Sequence, residues 1–315
     1  MRSTPHILVI NGTKVRRPVF VLGAPHSGAD LVARAIKRST GFHLTAGRPG
    51  VLRVTYAFAR RPAIASERGR GAARVLRDAY AEAWQISPRG CAECPPECRE
   101  LSGPRPPETP AEGPAEACAS PRGVSRFADA SPDLLYSADV LLDAFPDAQL
   151  LQVIRDGRDV VADMLGDERC LAWFRPGLAN LDDVFPNPFF GVDDVLERDR
   201  WPTAAMAVRC ALRWRGSVRL SARLRAQTPD DQLMTVRYED LVARPGKVAA
   251  AMSNYLGSPI SKVALSGLVR PGDREIDERR PGGWRDRLTT RQLIQVEKVA
   301  GQELGRLGYQ LSGAA

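Results

Sequence analysis

Short apolar runs alternate with turns and amphipathic stretches along the 315 residues. Val19-Phe20-Val21-Leu22 and Leu150-Leu151-Gln152-Val153-Ile154 are dominated by large and β-branched residues with no polar alternation. Such runs predict strands covered on both faces, as in a parallel sheet. The first run leads into Gly23-Ala24-Pro25-His26-Ser27-Gly28, then into Leu31, Val32, Ala35 and Ile36 at the spacing of one helix face. A helix over 27–40, stopped at Gly41, is expected. Ser27-Gly28-Ala29-Asp30 also fits a capping box, with Ser27 at the N-cap and Asp30 folding back from three residues in.

The pattern further predicts an edge strand at 6–10, turned by Asn11-Gly12 into the strand at 18–23. A strand near 42–44 follows, then Ala-rich helix over 57–86 interrupted by Pro62 and Gly69-Arg70-Gly71. Helices are expected near 131–144, from Arg158, over 204–226, and near 245–256 and 289–306, with a strand over 232–238. Strands alternating with helices give an α/β fold with a central parallel β-sheet flanked by helices. One domain spanning 1–315 accommodates this length.

Two stretches break the rhythm. Residues 87–123 are crowded with Pro, Gly and Glu and lack apolar periodicity, which predicts a flexible insert. Residues 175–202 are rich in Pro and Asp and read as an irregular loop on the substrate side. Four of the six cysteines, Cys91, Cys94, Cys98 and Cys118, fall in the insert. That set is chemically able to form a structural zinc site, but lacks a second paired Cys-x2-Cys; free or redox-labile thiols are the alternative. Cys170 and Cys210 stand apart and read as buried packing thiols.

The net charge of +8 comes mainly from Arg, which suits bidentate contacts to phosphate, sulfate or carboxylate. Nucleic acid is the rival partner for a basic chain. Only 6% of residues are aromatic and no zinc-finger, RNA-recognition or helix-turn-helix pattern occurs, which argues against it. No apolar run reaches the length of a membrane span, and none fits a signal-peptide core. A cytoplasmic location is expected; the oligomeric state is not legible.

Two loops carry candidate chemistry. Amides at the turn 23–28 and the helix start behind it form a cradle for phosphate or sulfate. Arg155-Asp156-Gly157-Arg158-Asp159 ends the second buried strand, at the edge where α/β sheets place ligands. Together with Phe127-Ala128-Asp129-Ala130-Ser131-Pro132, Phe145-Pro146-Asp147-Ala148, Val236-Arg237-Tyr238-Glu239-Asp240-Leu241 and Gly283-Trp284-Arg285, in that order, these segments resemble the sulfotransferases that use 3′-phosphoadenosine 5′-phosphosulfate (PAPS). The likeness runs from about residue 18 to the C-terminus, apart from the insert.

The resemblance implies a P-loop-like sulfotransferase fold and sulfuryl transfer from PAPS to a hydroxyl or amine of a small-molecule, lipid or carbohydrate acceptor. It implies that Gly23, Ala24, Pro25, His26, Ser27 and Gly28 hold the phosphosulfate. Arg155, with Asp163 eight residues on, would meet the 3′-phosphate, and Gly283, Trp284 and Arg285 would cover the nucleotide. It implies no metal at the reacting centre. His26, His43 and Asp129 are the catalytic candidates, His26 at the bridging oxygen and the other two as base for the acceptor proton.

Four positions depart from the family pattern: His26 replaces Arg or Lys, Ala29-Asp30 replaces Thr-Thr, Ala130 replaces a frequent Lys, and Asp163 replaces Ser. One carboxylate about 5 Å from a phosphate charge costs roughly 3 kcal/mol at an effective dielectric of about 20. A second reading therefore stands beside the first: the same fold serving as a binding or regulatory module, or taking another anionic donor. A P-loop kinase is disfavoured because no Gly-Lys-Ser/Thr follows the turn.

Overall fold

The computed structural model describes residues 7–61, 70–92, 94–100, 117–270, 272 and 274–313. Asn11 and Gly12, both left-handed with φ of 47° and 84°, turn Val9–Ile10 (β1) back onto Thr13–Lys14 (β2) as an antiparallel hairpin. The turn lies where its Asn-Gly pair predicts, but its partner is β2 and not the strand beginning at Val19. That strand, Val19–Gly23 (β3), belongs to a separate sheet with Phe42–Thr45 (β4), Arg126–Asp129 (β5), Gln149–Ile154 (β6) and Leu233–Arg237 (β7). The order is β4-β5-β3-β6-β7 and every pair is parallel, so the expected α/β fold with a central parallel sheet is the observed one.

Both faces of the sheet are covered. Phe20 and Leu22 point into a core with Tyr80, Trp84, Phe127, Phe145 and Leu150. Val19 and Val21, one residue out of phase, join Leu31, Ile36, Leu44, Leu151 and Val153 on the other face. Each such side chain contributes about 1.5–3 kcal/mol on full burial. A third cluster packs Val160, Val161 and Met164 against Cys210, Ala211 and Trp214 of the long helix Met206–Gln227.

Helix termini follow local chemistry. Asp156 caps the helix Gly157–Leu165 by accepting from Arg158 N at 2.9 Å. Thr289 and Gln292 form a capping box at the start of Thr290–Arg306. Gly257, at φ 64°, ends Pro245–Leu256. The helix after β3 is shorter than 27–40: it spans Ala29–Lys37 with Gly28 at its N-cap and no side-chain cap, so the Ser27/Asp30 capping box does not form.

The 57–86 stretch becomes two helices, Pro49–Arg60 and Arg70–Ala83, with Pro62 and Gly69 outside the described residues. The first part of the 87–123 insert is helical at Pro88–Ala92 and Pro96–Glu100, each opened by a proline whose fixed φ suits a helix start. Cys91, Cys94 and Cys98 are buried there; residues 101–116 lie outside the described set. Within 175–202, Asp194 caps a short helix Val195–Arg200. No described helix is long and apolar enough to cross a membrane.

Candidate functional site

Chain order reverses around β3, which lies between β5 and β6, so a crevice opens at the carboxyl ends of these three strands. It is a cavity of about 1190 Å³. All six residues from Gly23 to Gly28 line it, joined by Ala130 to Asp133 after β5, Asp163, Asp167 and Cys170, Arg213 of the long helix, and Arg279, Arg280 and Arg287. Leu52, Tyr56 and Trp173 form an apolar wall, the two rings 4.9 Å apart. Neither the described insert residues nor 175–202 line it, and residues 101–116 of the insert lie outside the described set; the apolar wall comes from the helix Pro49–Arg60 and Trp173.

The turn is shaped by two left-handed residues, His26 at φ 60° and Gly28 at φ 93°. Gly28 is obligatory there, since a Cβ would stand 2.3 Å from the Tyr238 ring. Ser27 N donates to Ala24 O at 3.1 Å, whereas the amides of His26, Gly28 and Ala29 find no backbone carbonyl among the described residues. Ser27 is 2% exposed and its Oγ has no hydrogen-bond partner among them. Asp30 turns away from these amides and is held by Arg34 and, through both carboxylate oxygens, by Arg279. Burial would raise the Asp30 carboxyl, but the two guanidinium groups bring it down to about 2. Asp30 therefore does not occupy the turn amides.

His26 Nε2 lies 3.0 Å from Asp167 Oδ2. Burial lowers the imidazole below its ordinary value in spite of Asp163 and Asp167. At neutral pH the contact is therefore a hydrogen bond from a neutral ring, and His26 brings no positive charge to the turn. Cys170 Sγ sits 3.7 Å from the same nitrogen.

Arg155 is 1% exposed and does not line the cavity. Its guanidinium donates to Asp163 Oδ2 at 2.5 Å, to His26 O at 2.9 Å and to Arg279 O at 3.0 Å, and lies 4.5 Å above the Tyr238 ring. Asp163 does face the cavity, and Arg287 grips its other oxygen. Gly283, Trp284 and Arg285 also lie off the cavity. Trp284 is packed beside Arg158 and Arg285, and Asp159 accepts from its amide at 2.8 Å and from that of Gly282 at 2.7 Å. The late segment reaches the cavity through Arg279, Arg280 and Arg287 instead.

The two candidate bases are placed elsewhere. Asp129 is buried under β5's own neighbours, accepting from Thr45 Oγ1 at 2.6 Å, Ser131 N at 2.8 Å and Tyr80 Oη at 3.3 Å. Burial pushes its carboxyl up to about 6. His43 on β4 stands edge-on to Phe127, and burial, with Lys37 and Arg48 nearby, lowers it to about 3. Neither touches the cavity, because strand alternation sends both side chains into the layers rather than past the strand ends.

The insert thiols surround that histidine: Cys118 Sγ is 4.0 Å from His43 Nδ1 and 3.4 Å from Cys91 Sγ, while Cys98 meets Lys37 Nζ at 3.4 Å and Cys94 meets Arg48 Nη1 at 3.2 Å. All six cysteines are free, and Cys91, Cys94, Cys98 and Cys118 do not bring three sulfurs within 4.8 Å of one another. A zinc site on them is not supported; basic groups approach two of the four instead.

Arg213 went unrecognised by sequence reasoning. It is 1% exposed, pairs with Asp133 at 2.8 Å and lies over the Phe189 ring at 4.3 Å. Its Nε and Nη1 meet no acceptor with hydrogen-bond geometry among the described residues, although the guanidinium interacts with the Tyr136 hydroxyl. Its position three after Cys210 and one before Trp214, within the buried run 210–217 of an Arg-rich helix, was the available signal. Among the described residues six arginines and six carboxylates line the cavity, so field alone does not favour an anion; the unpartnered donors do.

A family model described as "Sulfotransferase family" matches residues 18–174. Among solved structures, the sulfotransferase domain of the Synechococcus PCC 7002 olefin synthase is 17% identical, with 95% of this chain and 97% of that chain covered and a TM-score of 0.48. Sulfotransferase STF9 from Mycobacterium avium is 16% identical over 95% of this chain and 79% of its own, with a TM-score of 0.45. A mouse sulfotransferase complexed with PAP is 12% identical over 95% and 90%, with a TM-score of 0.41. No curated protein matches the sequence.

Proposed function

The chain belongs to the sulfotransferase family, and we propose that it transfers a sulfuryl group from PAPS to a hydroxyl or amine of a small-molecule, lipid or carbohydrate acceptor. The observation that carries this reading is the turn Gly23–Gly28, where amides without backbone acceptors meet the buried, unpartnered Ser27 Oγ in one cavity with Arg213. Buried donors left unmade cost about 1–3 kcal/mol each, and an anion with several oxygens relieves that cost.

In this reading the phosphosulfate lies on the turn. The amides of His26, Gly28 and Ala29 and the Ser27 hydroxyl take up the charge that develops on the phosphate oxygen as the S–O bond breaks. Arg213, always cationic and fixed by Asp133 and Phe189, supports the same negative charge from elsewhere in the cavity lining. The acceptor lies along Leu52, Tyr56 and Trp173, an apolar and aromatic wall that orients a hydrophobic body toward the turn.

One observation favours the second reading. Arg155 and Asp163, which the resemblance assigns to the 3′-phosphate, are already bonded to each other. A donor that lacks a 3′-phosphate would leave that pair undisturbed. Calorimetric titration of the full chain with 3′-phosphoadenosine 5′-phosphate (PAP), with adenosine 5′-phosphosulfate and ATP alongside, separates the cases. Micromolar PAP binding weakened by Arg213→Lys supports PAPS as donor. Absence of heat at millimolar PAP overturns it, and preferential binding of adenosine 5′-phosphosulfate transfers the role to the unphosphorylated donor.

A further inference from the structure

His26, Asp167 and Cys170 bring an imidazole nitrogen, a carboxylate oxygen and a sulfur to one point on the cavity wall, all within 4.8 Å of one another. We propose that this triad binds a zinc-class divalent ion whose remaining position opens to the cavity beside the turn. The chemistry of the set is selective. Imidazole and thiolate favour Zn²⁺ and its neighbours, whereas Mg²⁺ and Ca²⁺ take all-oxygen shells. Three protein ligands with one open position is also the arrangement of a zinc that meets a ligand rather than a purely structural one.

The spacing fits. With Zn–N and Zn–O near 2.0–2.2 Å and Zn–S near 2.3 Å, a tetrahedral ion separates its ligand atoms by about 3.3–3.6 Å. Here Nε2 to Oδ2 is 3.0 Å and Nε2 to Sγ is 3.7 Å, each within a few tenths of an ångström of that spacing, and the carboxylate oxygen and sulfur lie within 4.8 Å of each other. Two ligands come from one short turn, Asp167 as N-cap and Cys170 three residues on in the helix Glu168–Ala172, and share a face. The third comes from the left-handed His26, whose backbone geometry directs the ring across the turn toward that helix. Asp167 Oδ1 is held by Arg169 N at 2.8 Å, which fixes the carboxylate and leaves Oδ2 for the ion.

A nucleophilic Cys-His-Asp relay does not fit the same atoms. Asp167 and Cys170 both approach Nε2 of His26, whereas a relay needs the acid on one ring nitrogen and the thiol on the other. Binding releases the thiol proton to solvent and shifts the single imidazole proton from Nε2 to Nδ1, leaving thiolate and neutral imidazole on the ion. An ion here adds positive charge beside the turn, where the described lining arginines are matched by carboxylates. That functional consequence rests on the sulfuryl-transfer reading; the binding of the ion does not.

The test uses the full chain stripped with a chelator and titrated with Zn²⁺ by calorimetry and with Co²⁺ by absorption. The insert thiols are removed as competitors in a Cys91→Ser, Cys94→Ser, Cys98→Ser, Cys118→Ser background. The expected result is one equivalent of ion in that background. With Co²⁺ it shows a near-ultraviolet thiolate charge-transfer band and the visible bands of a tetrahedral ion. Cys170→Ser abolishes the charge-transfer band. His26→Gln and Asp167→Asn, which leave the buried cysteine in place, weaken Zn²⁺ binding by at least roughly tenfold, the lower end for losing a mere outer-shell partner. A band that disappears with the insert cysteines, or one that survives all three site substitutions, overturns the proposal, as does the absence of binding. PAP binding measured in the same stripped protein is a separate readout, so failure of the ion site and failure of the donor site are distinguishable.

Discussion

Arg155 Nη1 donates to Asp163 Oδ2 at 2.5 Å, with both side chains almost fully enclosed, at 0% and 7% exposure. Arg287 takes the other carboxylate oxygen, so one aspartate sits between two guanidinium groups as an internal anion. Removing it leaves Arg155 buried without a counter-charge, a change that costs about 3–5 kcal/mol. Asp163→Ser is expected to unfold at lower temperature than wild type and to regain stability on adding PAP. Its affinity for PAP rises by at least roughly tenfold, which corresponds to 1.4 kcal/mol. A thermal melt with and without PAP, together with calorimetry, measures both; unchanged affinity means that this pair does not occupy a phosphate position.

Arg213 is predicted to matter through its shape as much as its charge. Arg213→Met leaves Asp133 buried and unpaired, at about 3–5 kcal/mol in denaturant-unfolding free energy. Arg213→Lys keeps the charge yet loses the planar fork and the stacking on Phe189. The Lys variant is expected to fold and to bind anionic nucleotide more weakly, by on the order of 1–3 kcal/mol. Equal affinity of wild type and Lys variant removes Arg213 from the anion site.

Gly28→Ala combines two penalties. The residue is left-handed, and its new Cβ would lie 2.3 Å from Tyr238. The backbone part alone costs about 1–3 kcal/mol. Pairing it with Tyr238→Leu relieves the clash but not the φ strain, so urea unfolding of the double variant should recover only part of the loss. Full recovery assigns the whole effect to packing.

His43 sets an acid-sensitive element. Burial lowers its folded-state value to about 3 from 6.5. The unfolded chain therefore binds a proton first, and stability is full above about 6.5 and lost as pH falls toward 3. The loss amounts to a few kcal/mol across that window. Asp129, raised to about 6 by burial, acts in the opposite sense: its contribution favours the folded state at acid pH and fades as pH rises. The His43 effect is read as the difference between wild type and His43→Leu in unfolding free energy at pH 7 and pH 4. Parallel curves contradict it.

The contrast between what was legible and what was not follows the range of the interactions. Val19 to Leu22 and Leu150 to Ile154 announce buried parallel strands, because a run without polar alternation has no solvent-facing side to supply. Asn11-Gly12 names its turn because both backbones must be left-handed. The turn Gly23–Gly28 and the helix behind it were legible for the same reason, their small residues and the apolar spacing that follows being local facts. Ser27 and Asp30 mark where that kind of reading stops. They match a capping pattern three residues apart, yet Arg279, 249 residues away, takes the aspartate and Gly28 takes the cap position.

Charged side chains were the least legible of all. Arg155 looks like a ligand contact at a strand end, and the fold closes it against Asp163, His26 O and Arg279 O. Arg213 looks like one more solvated cation in a basic helix, and the fold buries it beside the cavity with two nitrogens unpartnered. His26 lies 141 residues from Asp167 and 144 from Cys170, and meets that local pair only because the fold brings the helix Glu168–Ala172 beside the turn. The sequence by itself determined the strands, the sheet type and the small-residue turn, since backbone sterics and apolar burial act over a few residues. Only the tertiary structure decided which charges face the cavity, because a carboxylate or guanidinium takes whichever opposite partner the fold brings within hydrogen-bond reach, and no local pattern encodes that choice.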